Sequence, residues 1–180
     1  MNMNYTNKLQ AGVTFPDIEV KLQSGEIVQL GTPNDHHDWK MVVVYRGKHC
    51  PLCTRYLNQL EGTKVALSEI SVDLIAVSGD SKSQLESHME QLEVTFPLAY
   101  GLTPKQMEEL GLYISDPRSP QESDHPFAEP GVFVINDKGK IQVIDISNNP
   151  FVRPEIQALV NGLAWIRNPE NNYPIRGTHR

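Results

Sequence analysis

The sequence predicts an α/β fold of three layers, in which helices cover both faces of a mixed central sheet. Continuous β-branched runs at Met41–Tyr45 and Leu74–Val77 are typical of strands buried on both faces. Apolar residues at helical spacing follow each run. The turn signal at 137–139 (DKG) then joins two further extended runs, Val132–Ile135 and Lys140–Ile146. Strands alternating with helices, followed by an antiparallel hairpin and a last helix, indicate an α/β sandwich with right-handed parallel crossovers.

The chain is expected to open with an N-terminal β-hairpin. Two short extended segments, Phe15–Leu22 and Glu26–Leu30, flank a turn pair at 24–25 (SG). Further along, Thr95–Tyr100 reads as extended but contains Pro97, which has no N–H for a sheet ladder. We therefore expect that segment to form an edge strand or an irregular one.

Helices are predicted where apolar residues recur at helical spacing and a capping residue precedes them. They cover Leu52–Ile70, Gln84–Leu92 (capped by Asp80 or Ser81), Lys105–Leu110 (opened by Thr103 and Pro104) and Glu155–Ile166 (opened by Pro154). We expect Gly62 and Thr63 to break the first helix into two. The segment Ser115–Glu129 is predicted to be a long loop because it contains three prolines and several polar residues.

Composition and charge limit the function classes. With 180 residues, 39% hydrophobic and 21% charged, the sequence predicts one globular domain over 1–180, with its core at about 12–166 and a flexible C-terminal tail. A net charge of −6 argues against a nucleic-acid partner. The apolar runs are too short to span a membrane, and residues 1–12 do not resemble a secretory signal. We expect a cytoplasmic protein with no membrane partner, where a lone cysteine pair is typical of catalysis or metal binding.

The two cysteines of the chain form the motif HCPLC at 49–53. Because Pro51 suits the first position of a helix, Cys50 is predicted to be the N-cap and Cys53 to lie in the first turn. The unpaired N–H groups and the dipole of the helix start favour a thiolate, and C-x-x-C thiols have pKa values of roughly 3.5–7.5 instead of about 8.5. We expect Cys50 to be the more exposed, attacking sulfur. The second sulfur can then close a disulfide, a cycle that needs no cofactor or metal.

Other interpretations of these residues stay open. The cysteines could be ordinary buried side chains, half of a zinc site that lacks two further ligands, or a copper(I) site, since soft thiolates select that ion. His49 could stabilise the Cys50 thiolate when protonated, or it could point into solvent. Arg46 adds positive charge if its side chain reaches the site. Pro130, taken alone, is a strand-starting proline.

Three segments carry a family resemblance. They are the string VYRGKHCPLC at 44–53, the stretch 95–102, and PGVFVIN at 130–136. They resemble the peroxiredoxin-like branch of the alkyl hydroperoxide reductase/thiol-specific antioxidant family, and the similarity spans roughly 12–163. The resemblance implies a thioredoxin-like fold and a cis-proline at Pro130. We expect Pro130, His49 and Arg46 to position the substrate beside the catalytic pair Cys50 and Cys53.

The resemblance further implies a thiol-dependent antioxidant oxidoreductase that reduces hydroperoxides or disulfides. A thioredoxin- or glutathione-like reductant would regenerate it, and a homodimer is possible. The family pattern P-x-x-x-T-x-x-C with a distant arginine falls on Arg46, Cys50, Cys53 and Pro130, so only the cysteine is kept. Peroxiredoxin logic makes Cys53 the attacking sulfur, whereas thioredoxin logic makes it Cys50. A thioredoxin-type oxidoreductase without peroxidase activity therefore remains the alternative.

Overall fold

The computed structural model describes residues 7–34 and 36–179. Seven of its strands form one mixed sheet in the order β2-β1-β5-β4-β3-β8-β9, and two short strands, β6 and β7, pair separately. The strands are β1 (Glu19–Leu22), β2 (Ile27–Gln29), β3 (Trp39–Val44), β4 (Val72–Val77), β5 (Leu98–Tyr100), β6 (Ile114–Ser115), β7 (Phe127–Ala128), β8 (Gly131–Ile135) and β9 (Ile141–Ile146). β3 is central, with β4 parallel on one side and β8 antiparallel on the other.

Helices cover both faces of this sheet, which confirms the three-layer prediction. They are α1 (Pro51–Glu61), α2 (Lys64–Glu69), α3 (Lys82–Met89), α4 (Pro104–Glu109) and α5 (Ile156–Arg167), followed by a 3-10 turn at Pro169–Asn171. One buried cluster packs α1, α2, α3 and α5 against side chains such as Met41 and Val43, while the other packs α4 and the N-terminal segment against Val42 and Val44. Among the described residues no helix has the length and apolar character needed to cross a membrane.

Local signals in the sequence are confirmed where they involve neighbouring residues. β1 and β2 form the predicted hairpin. The first helical stretch breaks as expected, since Gly62 ends α1 and Thr63 precedes α2. Ser81 and Thr103 each accept a hydrogen bond from the backbone of the helix that they precede, in complete capping boxes.

Two predictions, for Thr95–Tyr100 and for the loop Ser115–Glu129, hold only in part. β5 is not at an edge, because it lies between β4 and β1. Pro97 stands just before this strand, and its carbonyl accepts the Ala76 N–H at 3.2 Å. Pro97 therefore takes part in the sheet as an acceptor, which does not require the N–H that proline lacks. The segment Ser115–Glu129 is not entirely loop either, because its two ends pair as β6 and β7.

The sheet register brings several chain turns to one edge. Val44, at the end of β3, pairs with Val77 at the end of β4 and with Gly131 at the start of β8. Gly131 pairs in turn with Ile146 at the end of β9. The segments that follow β3, β4 and β9 therefore start from one row of residues, and we call this row the shared edge.

Packing of α1 on the sheet should dominate the stability of the region that carries the shared edge. Leu57 is fully buried on α1, so we expect Leu57→Ala to lower the free energy of unfolding by about 2–5 kcal/mol. Val65 on α2 is 71% exposed, and Val65→Ala should change it by less than about 0.5 kcal/mol. Urea unfolding of the oxidised protein measures both values. Equal effects of the two variants would contradict this account of the packing.

Candidate active site

The turn that follows β3 is shaped by a buried carboxylate. Lys48 donates its backbone N–H to Asp80 Oδ2 at 2.8 Å, and Asp80 is almost fully buried. Gly47 has a φ of +141°, and a Cβ at this position would lie 2.6 Å from Asp80 Oδ1. A residue without a side chain is therefore required for the chain to pass Asp80 and enter α1. Burial raises the pKa of Asp80, against the hydrogen bond from Lys48, which lowers it.

The cysteines stand where this turn becomes α1. Cys50 is the N-cap, its Sγ accepts the Cys53 N–H at 3.2 Å, and Pro51 is the first helical residue, as predicted. The two sulfurs form a disulfide, and the two Cα atoms are 5.2 Å apart. The expected exposure of Cys50 is wrong: Cys50 is 2% exposed and Cys53 is not exposed at all. Both cysteines belong to the buried cluster that also contains Tyr56 and Leu57 on the same helix, and this packing closes them off from solvent.

An arginine from a distant part of the chain contacts Cys53. Arg153 lies between β9 and α5, and its Nη2 donates to Cys53 Sγ at 3.2 Å. The guanidinium also lies over the ring of Tyr56, 4.9 Å from its centroid. Because a guanidinium stays protonated in proteins, it places a permanent positive charge beside this sulfur.

Arg46 is held by a second buried carboxylate. Its Nε lies 3.1 Å from Glu129 Oε2, and its guanidinium lies over the Phe127 ring at 4.7 Å. Glu129 also accepts a hydrogen bond from the Ser115 hydroxyl at 2.7 Å, so β6 and β7 both help to place it. Burial lowers the pKa of Arg153, against Tyr56, which raises it, and the charges of Arg46 and Glu129 then act on it in opposite directions.

His49 takes neither of the two positions considered from the sequence. Its ring packs on Phe127, with centroids 4.5 Å apart. Burial, and then the charge of Arg46, lower the pKa of His49 to about 4. The imidazole is therefore neutral at pH 7, and the positive charge near the sulfurs comes from arginine.

Pro130 starts β8 at the shared edge but does not have the backbone that the resemblance implies. Its peptide bond to Glu129 is trans, so the expected cis-proline is wrong. Pro130 is buried, and its carbonyl accepts the Ser147 N–H at 3.0 Å, a bond that continues the β8–β9 ladder.

A buried histidine lies next to the first turn of α1. His88 is fully buried in the last turn of α3, and its Nε2 is 2.7 Å from the Thr54 hydroxyl. That hydroxyl also donates to the Cys50 carbonyl at 3.3 Å. Burial, with a smaller contribution from His49 and Lys48, lowers the pKa of His88 to about 4.

The zinc and copper interpretations of the cysteine pair need further ligands beside the two sulfurs. Within residues 7–34 and 36–179, no group of three or more histidine, cysteine, aspartate and glutamate side chains is arranged to hold a metal ion. Both thiols are engaged in the disulfide in this state.

Sequence reasoning missed three residues of this site: Arg153, Glu129 and His88. None is near the cysteines in sequence, and Arg153 is separated from Cys53 by 100 positions. One signal was available for Arg153. The predicted terminal hairpin puts β9 parallel to β3, which brings the segment after β9 to the same edge as the cysteine turn.

Comparison with known proteins identifies the family of the chain. A profile of the AhpC/TSA family matches residues 11–144, about three quarters of the chain. The chain belongs to the AhpC/TSA family. It is a peroxiredoxin-like thiol oxidoreductase, and the resemblance noted from its sequence is confirmed. A comparison with curated proteins finds no matching sequence.

Solved structures show the same fold at low sequence identity. A mutant of peroxiredoxin 6 from Arenicola marina aligns with a TM-score of 0.74 and 17% identity, covering 90% of this chain and 75% of that one. A peroxiredoxin-like protein from Aquifex aeolicus aligns at 0.71 and 17%, covering 89% of each chain. AhpC of Mycobacterium bovis aligns at 0.72 and 12%, covering 97% of this chain and 99% of its own.

Arg153 should favour the thiolate form of Cys53 after reduction. In a Cys50→Ser background, where Cys53 is the only thiol, we expect Arg153→Met to slow iodoacetamide alkylation at pH 7 about tenfold, because a charge-assisted hydrogen bond is lost. Arg55→Met is the matched control, since Arg55 is an exposed arginine on α1, the helix that carries Cys53. Equal rates for the two arginine variants would contradict this role.

The buried histidines should make folding sensitive to acid. Above about pH 6.5 His88 is neutral in both the folded and the unfolded chain. As the pH falls from about 6.5 to about 4, only the unfolded chain binds the proton, so the free energy of unfolding decreases, by on the order of 3 kcal/mol for His88. Urea unfolding across this range should show a shallower decrease for His88→Gln than for wild type. A wild-type stability independent of pH would contradict the prediction.

Proposed function

We propose that this chain is a peroxidase that reduces hydroperoxides at Cys53, with Cys50 as the resolving thiol. The contact between Arg153 Nη2 and Cys53 Sγ carries the proposal. Cys53 stands where the family pattern has its peroxide-attacking cysteine, whereas the arginine of that pattern is replaced by Pro130. A guanidinium from the segment after β9 supplies the missing charge at the same sulfur.

The proposed cycle begins at Cys53. The Cys53 thiolate attacks the terminal oxygen of a hydroperoxide and the O–O bond breaks, which leaves a sulfenic acid and an alkoxide that takes a proton and departs as the alcohol or water. The Cys50 thiolate then attacks the Cys53 sulfur, releasing water after protonation and forming the disulfide. A dithiol reductant returns two electrons, and two protons restore the thiols.

Local charges support the first step. The attacking thiolate and the departing alkoxide are both anions, and Arg153 offers further N–H donors beyond the one directed at sulfur. The family threonine is replaced by Cys50, so this chain has no hydroxyl at that position. Arg153 must therefore bind the peroxide without the threonine hydroxyl that assists in the family pattern.

A second candidate follows from the helix start. Cys50 Sγ accepts the N–H of Cys53, an arrangement that stabilises a Cys50 thiolate. This favours a thioredoxin-type dithiol–disulfide oxidoreductase in which Cys50 attacks a substrate disulfide and Cys53 resolves the mixed disulfide. In either case we propose a thioredoxin- or glutathione-like electron donor and a cytoplasmic location, where such donors keep thiols reduced.

Single-cysteine variants separate the two candidates. After reduction, we expect Cys53→Ser to lose the fast reaction with hydrogen peroxide in stopped-flow measurements. Cys50→Ser should still react once and leave a sulfenic acid on Cys53 that dimedone traps. If wild type reacts with peroxide as slowly as a free thiol but reduces a protein disulfide rapidly, the second candidate replaces the first. Full turnover by both variants with both substrates would rule out the dithiol cycle altogether.

A further inference from the structure

The disulfide is closed off from any reductant in this state. Cys50 is 2% exposed and Cys53 is fully buried. A thiolate reduces a disulfide by direct contact with one of its sulfurs. Regeneration of the thiols therefore requires part of the covering structure to move, and the inference below rests on the proposed dithiol cycle.

Residues 147–155 contact the site through Arg153 and Pro154 and are called here the lid segment. The segment leaves β9 at the shared edge and ends where Glu155 caps α5. It contributes the Arg153 contact to Cys53 Sγ. It is also tied to α1 by one hydrogen bond, in which the Tyr56 hydroxyl donates to the Pro154 carbonyl at 2.9 Å.

The middle of the lid segment exposes two apolar side chains. Phe151 is 81% exposed and Val152 is 58% exposed, and Phe151 is the most exposed large apolar side chain among the described residues. An ordered turn holds them outward: the Phe151 N–H donates to Asn149 Oδ1 at 3.0 Å, and the Ser147 hydroxyl donates to the Asn149 carbonyl at 2.7 Å.

We propose that Phe151 and Val152 form the docking surface for the protein dithiol that reduces the Cys50–Cys53 disulfide, and that docking there opens the lid segment. Arg153 follows Val152 directly, so a displacement of the docked residues is transmitted to the group that contacts Cys53. The hydrogen bond from Tyr56 to Pro154 is the latch that keeps the lid segment closed in the absence of the partner.

The size of the surface favours a transient redox partner. Two such side chains offer roughly 200–300 Å² of apolar area, given that a large aromatic side chain buries about 150–250 Å². A stable interface needs about 800 Å² on each partner, whereas redox encounters lie at the small end of the range. An electron donor must also leave after each cycle, which a small surface permits. A second copy of the chain held only by these residues would not form a stable dimer.

Docking is followed by thiol–disulfide exchange between the donor and the Cys50–Cys53 disulfide. A thiolate of the donor attacks Cys50 Sγ, forming a mixed disulfide and releasing Cys53 as a thiolate, which Arg153 contacts again once the lid segment closes. The second thiol of the donor, deprotonated, attacks the donor sulfur of the mixed disulfide. The donor leaves as a disulfide, the chain keeps both electrons, and two protons complete the thiols.

The test compares a protein dithiol with a small one on the same oxidised protein. Reduced thioredoxin and dithiothreitol are the probes, and rapid acid quench followed by mass analysis gives the rate of disulfide reduction. For Phe151→Ser we expect the ratio of the thioredoxin rate to the dithiothreitol rate to fall about five- to tenfold. Val65→Ser, which removes an exposed apolar residue from α2, should leave both rates unchanged.

Several outcomes would overturn the docking surface. They are an unchanged ratio in Phe151→Ser, an equal fall with both probes, and an equal fall of the ratio in Val65→Ser. Sedimentation that shows a wild-type dimer abolished by Phe151→Ser would make a second copy the occupant instead. If thioredoxin supports turnover of wild type and Phe151→Ser alike, only the docking surface fails. If the wild-type disulfide takes no part in turnover, the proposed function fails first.

The latch has its own measurement. Tyr56→Phe keeps the ring under Arg153 and removes only the hydroxyl that donates to Pro154. We expect dithiothreitol to reduce this variant about fivefold faster than wild type, because one hydrogen bond no longer holds the lid segment closed. A rate equal to or below that of wild type, in a variant with unchanged circular dichroism, would show that the lid segment does not limit access.

Discussion

The site depends on a single constraint, which is that a helix must begin where β3 ends. Pro51 sets the first helical residue, Cys50 caps it through sulfur, and Gly47 lets the chain pass the buried Asp80 carboxylate on the way there. The sheet register then brings the ends of β4 and β9 to the same edge. Arg153 then contacts a sulfur whose position this helix start has already determined.

Burial decides which charges act on those sulfurs. A histidine adjacent to a cysteine in sequence suggests an imidazolium, but His49 packs on Phe127 and desolvation keeps it neutral at pH 7. Guanidinium groups resist the same desolvation because they do not lose their proton. The positive charge of the site is therefore carried by Arg153 and Arg46, and Glu129 neutralises only the second of them by direct contact.

The parts of this arrangement that the sequence predicts are the ones set by neighbouring residues. The Cys50 cap, the break at Gly62 and the final hairpin each follow from a few adjacent side chains. Arg153 and Glu129 reach the site only through the order of strands in the sheet, and no spacing rule marks them. Burial of the cysteines and the trans bond at Pro130 depend on packing across the fold, so reasoning from a motif gave the wrong expectation for both.

The thiolates of the two cysteines are stabilised by different groups, and both interactions affect the stability of the disulfide. The helix start stabilises a thiolate on Cys50, and Arg153 stabilises one on Cys53. Both interactions are strongest when the sulfur carries charge, so both favour the reduced protein over the oxidised one. Thermodynamics then makes the disulfide a good electron acceptor, while its burial slows every reductant that cannot open the covering structure. Access to the sulfurs then limits which reductants can reduce the disulfide. The surface around the sulfurs therefore determines the electron donor.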